Sequence, residues 1–337
     1  MIRYVIRRLL WAVVLFLAVT VVTYIIFFII PADPARKACG QLVTPACVKR
    51  TRHYLGLDRP IYVQYLRFLG RLMPFDANSV AHGGSPLKSP SLGISFANRQ
   101  QVNTIVAQAA PVTASLVFGG AIAWMMLAVP IGILSALRPR SILDRMAMVF
   151  VLIGISAHPI WIGLILSYVV GYKAGLTPIT GYCEAFSPPA GATCGGVVQW
   201  AYHLILPWIT FAILFAALYV RMIRANVMET LNEDYVRTAR AKGASERTVI
   251  VRHVLRNAML PVVTMLGMDI ALGLGGAIFT ESVYSMNGLG RTLVQSLESD
   301  DLPTTQGIVV FGTVSIIVFN LIVDLLYAWI DPRIRLA

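Results

Sequence analysis

Six apolar blocks govern what this chain can become. They cover positions 9–30, 105–137, 146–172, 197–220, 257–280 and 306–330 of 337 residues. The first four carry no formal charge, the fifth holds only Asp269 and the sixth only Asp324. A helix on a soluble domain keeps one polar face, whereas these runs are apolar all round for at least the roughly 20 residues that a bilayer core requires. Lipid is therefore their solvent. The expected fold class is an all-α integral membrane protein with six transmembrane helices. Composition agrees, with 57% hydrophobic and only 13% charged residues. The block at 105–137 is long enough to need a tilt, or a kink at Pro111 or Pro130. The first block lacks a small-residue cleavage site and exceeds a signal-peptide core, so it reads as a retained helix.

A net charge of +12 raises the question of nucleic acid, and its distribution answers it. With the N-terminus inside, the internal pieces carry Arg3, Arg7 and Arg8, then Arg138, Arg140 and Arg145, a cluster from 221 to 256, and Arg333 and Arg335. The two short external loops hold only Lys173 and Arg291. The long external piece is basic as well, but long loops cross a membrane largely regardless of charge. Both termini are expected in the cytoplasm, with the lipid bilayer and not nucleic acid as the basic residues' partner. All four cysteines then fall outside, Cys39 and Cys47 in the first external region and Cys183 and Cys194 in the second. Two short-range disulfides are expected, because the exterior is oxidising and the spacings are not those of a metal site.

The chain divides into an N-terminus and first span (1–30), an extracytoplasmic insert (31–104) and a five-helix core (105–337) with a cytoplasmic loop at about 221–256. In the insert, Asp58 is a candidate cap and Pro60 a first-turn residue for a helix with Ile61, Tyr65, Leu69 and Met73 on one face. Such a helix suits a membrane surface or a partner. The Gly/Ser/Pro-rich stretch 78–90 reads as loop.

The most polar passage, NEDYVRTARAKGASERTVIVRH at 232–253, lies between two oily blocks. Asn232 can cap a first short helix, with Glu233 and Asp234 where the helix dipole favours negative charge. Gly243 stops it, and Ser245 can cap a second helix running through Val254. Basic residues of this kind also bind anionic headgroups, and two capped helices around a glycine corner additionally make a shaped docking surface.

A transporter needs a source of work. No GxxxxGK[ST] occurs, so the chain does not cradle nucleotide phosphates in the P-loop manner, and no HExxH or GxSxG suggests hydrolytic chemistry. His158 and His203 are candidates either for a proton relay or for bonds to a neighbouring helix. Asp269, deep in its span, either lines a pathway or pairs structurally, while Asp324 is expected to tie helix ends together. Gly267, Gly273, Gly275 and Gly276 read either as a hinge lining the passage or as close helix packing. GLGRTLVQSL at 288–297 is a candidate short re-entrant helix.

Several stretches together resemble one family. They are IRYVIRRLL, LGLDRPIYVQYLRFLGRL, DYVRTARAKGASERTVIVRHVLRNAMLP, ESVYSMNGLGRTLV and DLLYAWIDPRIR, in that order along nearly the whole chain. The chain resembles the integral-membrane permease subunits of ATP-driven oligopeptide and dipeptide importers of the ABC class, proteins of prokaryotic cell membranes. The third stretch is similar to their cytoplasmic EAA loop, which forms the coupling helix. By position, that motif's Glu-Ala-Ala falls on Arg237, Thr238 and Ala239, its glycine on Gly243, and its later Leu-Pro on Leu255 and Arg256; the glutamate and the proline are absent here. The resemblance implies ATPase contact through Arg237, Ala239 and Gly243, with Thr238 and Ala244 beside them and Arg240, Lys242 and Glu246 as rim charges. On the residues alone, Asp269, Gly273, Gly275 and Gly276 are the candidates for a translocation path. The resemblance also implies a second permease, two ATPase subunits that hold ATP and Mg, and an extracytoplasmic binding protein. No cofactor is expected in this chain. The competing readings are an ion-coupled secondary carrier using Asp269 and the histidines, and an ABC permease for nickel, glutathione or another small solute.

Overall fold

A computed structural model describes residues 2–29, 34–39, 43–73, 90–186 and 194–330. It is helical, with no strand among the described residues and one isolated bridge between Ile94 and Gln101. In chain order the helices are α1 (Ile2–Tyr24), α2 (Pro34–Ala38), α3 (Pro45–Leu55), α4 (Ile61–Leu72) and α5 (Val102–Leu137). Next come α6 (Ile142–Ser156), α7 (Pro159–Leu166) and α8 (Val197–Leu231). The polar passage forms α9 (Asp234–Ala241), α10 (Glu246–Thr248) and, after a π-helical stretch, α11 (Arg256–Ala258). The last four are α12 (Leu260–Leu274), α13 (Ile278–Val283), α14 (Leu289–Glu298) and α15 (Leu302–Ile330).

Four helices are long and apolar enough to cross a membrane, over Ile6–Phe27, Val102–Leu137, Val197–Leu231 and Leu302–Val323. Two bent pairs bring the number to six if each pair is one span. The block at 146–172 is therefore not the straight span that its composition suggests. It bends by 106° between Ser156 and Pro159. Proline has no N–H to donate and forces the residue before it out of the helical region. His158 is accordingly extended, at φ −70° and ψ 138°, and restarts the chain as the cap of α7. The block at 257–280 is interrupted twice: by a 44° bend before α12 and by the turn at Gly275 and Gly276 before α13.

α5 and α8 pack along each other through an aromatic seam. Trp124 of α5 is fully buried and stacks on Phe215 at 4.7 Å, with Phe211 and Tyr219 at 5.8 and 5.9 Å. Gly120 makes room for this: a Cβ there would stand 2.6 Å from a ring carbon of Phe211. Small residues that let backbones close up are how helices associate when lipid removes the hydrophobic contrast. α12 then packs on α15, and α15 on α1.

The insert helix α4 folds against α1, which settles what it leans on. Its buried face is Phe68, with Tyr65 and Leu72 packed beside it; Ile61, Leu66 and Met73 are exposed, so the face expected from spacing is partly wrong. The cause is local aromatic pairing. Tyr65 and Phe68 each lie 5.6 Å from the Tyr24 ring, and Thr20 Oγ1 is 3.0 Å from the Tyr65 hydroxyl. Asp58 pairs with His53 at 3.4 Å, and Pro60 takes the cap position. The stretch 78–90 falls outside the described residues except at its last position.

Cys39 pairs with Cys47 and Cys183 with Cys194, with Cα separations of 6.2 and 5.6 Å. Replacing Cys183 and Cys194 together by serine is expected to remove about 3 kcal/mol of loop-closure stabilisation and leave membrane insertion intact. Thermal unfolding of the solubilised protein, compared with a reduced wild-type sample, checks this. An unchanged midpoint in both would show that the bridge contributes nothing.

Candidate functional site

The polar passage is built on its own small core. Val236 of α9 is fully buried, together with Val249 and Val254 of the following segment and Val227 of α8, and this cluster merges with Ala258 of α11 and Val262 at the start of α12. α8 thus runs almost without interruption into α9, and α9 packs on the segment 249–258 that leads into α12. Two side-chain bonds reinforce the junction. Asn257 donates to the Tyr235 hydroxyl at 2.8 Å, and Asn226 donates to the Ala258 carbonyl at 3.3 Å.

Gly243 turns the corner at φ +80°, in the left-handed region that favours glycine. Its N–H bonds to the Arg240 carbonyl at 2.9 Å and the Ala244 N–H to that of Ala239 at 3.3 Å, closing α9. The expected cap is displaced by one residue: Glu233, not Asn232, precedes α9, because Asn232 instead donates its amide to the Met228 carbonyl at the end of α8. Ser245 does precede the second helix, though its hydroxyl meets Thr248 Oγ1 at 2.8 Å and no backbone N–H.

On the surface, Arg237, Thr238, Arg240, Lys242, Gly243 and Glu246 are exposed, while Ala239 and Ala244 are half-buried and pack onto the core beneath. Ala239 is therefore mainly an underside residue. Arg240 reaches across the glycine corner to Glu246 at 2.7 Å, a contact that lowers the Glu246 carboxyl below its usual range. Arg237 sits 3.6 Å from Asp234. Two of the cations are thus partly answered within the element, and Lys242 extends the basic face.

The membrane-embedded candidates are scattered over two places. Asp269 on α12 accepts a 2.6 Å bond from the buried Tyr219 hydroxyl of α8 and stays half-exposed. Gly273 packs against Val117 and Phe211, with a hypothetical Cβ 3.0 Å from Val117. Gly275 meets Gly312 of α15, and Gly276, at φ +130°, meets the backbone of Gly290 in α14. α14 is the helix expected from 288–297.

The two histidines bond locally. His158 Nδ1 accepts from the Ile160 N–H at 3.3 Å and meets Phe279 edge-on. His203 Nδ1 lies 2.9 Å from the Gln199 carbonyl and 3.3 Å from Cys183 Sγ. Cys183, Cys194 and His203 lie close enough for a metal, but the ligand form of cysteine is the thiolate, and these sulfurs are bonded to each other. Asp324 lies in α15 with its side chain outside the described part.

A cavity of about 1040 Å³ opens along α5 between Phe118, Trp200, Trp208 and Tyr182. Among the described residues Glu184 is its only charged lining residue. Ser115 sits in its wall, bonded by the Trp200 indole N–H at 3.3 Å and in contact with the Tyr182 hydroxyl at 3.2 Å.

Three buried carboxylates escaped the sequence reading, one of them Asp301 just before α15, which accepts from the Ser95 hydroxyl and the Phe96 N–H. Asp144 sits in the first turn of α6, and Glu281 in α13 is fully buried within the quoted stretch ESVYSMNGLGRTLV. For Glu281 the available signal was an acidic residue in the largely apolar run 277–284, whereas Asp144 lies among Arg138, Arg140 and Arg145 and gave none.

Residues 1–117 and 128–336 match two successive family descriptions: the N-terminal part of a binding-protein-dependent transport system membrane component, and its inner membrane component. The dipeptide transport system permease protein DppB of Escherichia coli K12 is 35% identical, over 99% of both chains. The oligopeptide transport system permease protein AppB of Bacillus subtilis 168 is 34% identical, over 99% of this chain and all of that one. Among solved structures, the inward-facing MetNI methionine ABC transporter matches 68% of this chain and 97% of its own at a TM-score of 0.53 and 16% identity, which is a likeness of fold. With both family descriptions matched end to end and relatives covering its full length, the chain belongs to the binding-protein-dependent transport system inner membrane components.

Proposed function

We propose that this protein is one of two permease subunits of an ATP-driven peptide importer, in the orientation that places both termini and the 221–256 loop in the cytoplasm. The observation that carries the reading is the exposed cationic corner around Gly243, held rigid by its own valine core at the joint of α8 and α12. Full-length relatives named for dipeptide and oligopeptide transport support the cargo class.

In this reading Arg237, Thr238, Arg240, Lys242, Gly243 and Glu246 face a groove on a separate ATPase subunit, with Ala239 and Ala244 supporting them. The chain performs no hydrolysis itself; ATP and Mg belong to two partner ATPases. A second permease completes the pathway and an extracytoplasmic binding protein delivers cargo, with the insert 31–104 as its receiving cap. Alternating access follows if nucleotide binds one arrangement of the assembly better than the other, since equal affinity would shift nothing.

The test is reconstitution. The four kinds of subunit in proteoliposomes should take up peptide only with ATP, and the permease pair alone should not. Uptake driven by a proton gradient without ATP would instead favour a secondary carrier.

Asp269 and the glycines Gly273, Gly275 and Gly276 belong to this chain's half of the path, the glycines by shaping how α12 meets its neighbours. Asp269→Asn keeps an acceptor for Tyr219 and removes the charge. It is expected to lower uptake of cationic peptides relative to neutral ones by about tenfold. An unchanged ratio would take Asp269 out of the path.

A further inference from the structure

Two of the three buried carboxylates, Asp144 and Glu281, sit at opposite ends of one helix. At the coupling end, Asp144 uses both oxygens twice. Oδ1 accepts from Arg224 Nε at 2.7 Å and from the Ser135 hydroxyl; Oδ2 accepts from a terminal guanidinium nitrogen of Arg224 at 3.0 Å and from the Arg140 N–H at 2.9 Å. Arg140 holds a positive φ of 63° to present that N–H. Three elements meet in the one carboxylate: the last turn of α5, the first turn of α6, and α8 about two turns before it yields to the coupling element.

At the other end, Glu281 Oε1 accepts from Thr113 Oγ1 of α5 at 2.7 Å, and Oε2 from the Arg291 N–H of α14 at 2.9 Å. Thr113 Oγ1 in turn accepts the Leu289 N–H at 2.8 Å. The first turn of α14 is thereby seated on α5. Thr113 and Ser135 belong to the same unbroken helix and stand roughly 33 Å apart along it, the thickness of a bilayer core. Between them the Trp124 seam binds α5 to α8.

We infer that α5 is a rod clamped at both ends, carrying motion of the coupling element to α14, and that Asp144, Arg224, Thr113 and Glu281 are its positioning residues. The inference rests on the coupling role proposed above. A carboxylate with every acceptor site filled does not slide by degrees: either its three elements move as one, or the pair breaks. Pro130 leaves the helix continuous, so displacement at Ser135 reaches Thr113.

The experiment uses the whole importer in nanodiscs. All four native cysteines are in disulfides, so introduced ones take spin labels selectively. One pair, Val149→Cys with Arg247→Cys, spans the inner clamp; the other, Tyr62→Cys with Leu297→Cys, follows α14 against the insert. In wild type, ATP with Mg is expected to leave the inner distance unchanged and shift the outer one. In Asp144→Asn the pattern inverts: the coupling element moves without α6, the outer distance stays still, and peptide imported per ATP falls about tenfold. Arg224→Lys, which keeps one of the two guanidinium bonds, gives an intermediate outer shift. Thr113→Val stops the outer movement alone, and adding Asp144→Asn to it costs no further uptake, because both cut one line.

An outer shift of wild-type size in Asp144→Asn, or additive losses in the double variant, overturns the inference while leaving the coupling role standing. ATP-dependent uptake absent from wild type removes the coupling role itself. Should Asp144→Asn not assemble, Arg224→Lys and Thr113→Val decide by the same distances.

Discussion

Gly276→Ala is expected to unseat α14, with a large loss of stability. Two costs coincide at this position. Its φ of +130° is one that side chains rarely adopt, and a Cβ would stand 2.8 Å from Gly290 Cα and 3.0 Å from Gly290 N. The opposing atoms are backbone and have no rotamer to move into. Gly290 is equally confined, since a Cβ there would come 2.7 Å from the Ile278 nitrogen. Strain of about 1–3 kcal/mol and overpacking of about the same size combine to roughly 2–6 kcal/mol. Gly175→Ala is the control: its φ is +61° with nothing within 4 Å, so it bears backbone strain alone. Thermal unfolding of the solubilised protein should show a midpoint loss for Gly276→Ala well beyond that of Gly175→Ala. Equal losses would mean that the contact with Gly290 yields easily, and the tight seating of α14 would have to be abandoned.

The second large effect is functional and leaves the fold standing. Gly243→Leu is expected to reduce ATP-driven uptake to background while the protein inserts and co-purifies with the proposed second permease. No heavy atom lies within 4 Å of a Cβ at this corner, so the chain itself does not oppose the first side-chain atom. What changes is the backbone: a branched residue avoids the left-handed region by about 1–2 kcal/mol, and leaving that region swings α9 away from α10. The Arg240–Glu246 bridge spans the corner and is lost with it. The swing stays small because Val236 and Val249, one on either side of the corner, remain packed in the same core, so the thermal midpoint should move by no more than that strain. Asn tolerates the left-handed region, so Gly243→Asn should retain more uptake than Gly243→Leu. Full uptake by the leucine variant would remove the corner from the coupling surface.

These outcomes bear on how far the residues could be read unaided. The corner was legible because a glycine between two amphipathic stretches has few other uses. The disulfides were legible because each cysteine pair lies within one segment between apolar blocks. Helix α14 was visible as a short amphipathic run after a glycine pair. The 106° bend at His158 and Pro159 was less so, since a histidine-proline step inside 27 apolar residues is compatible with either a kinked span or a full break, and packing decides. The face of α4 was misassigned because spacing put Ile61 and Tyr65 on one stripe, whereas Tyr24 selected Tyr65 and Phe68.

The buried charges mark the boundary most clearly. Asp144 and Arg224 are 80 positions apart, and Glu281 and Thr113 are 168 apart. Run length, uncharged stretches and the backbone demands of glycine and proline are local properties; they established the solvent, the helices and the corner without reference to any neighbour. Which carboxylate meets which donor depends on the two helices that come to lie side by side, and that is the outcome of packing Trp124, Gly120 and the rest of the α5–α8 seam. Desolvating a charge is costly enough that its partner must be present, but only the assembled bundle determined that the partners were Arg224 and Thr113.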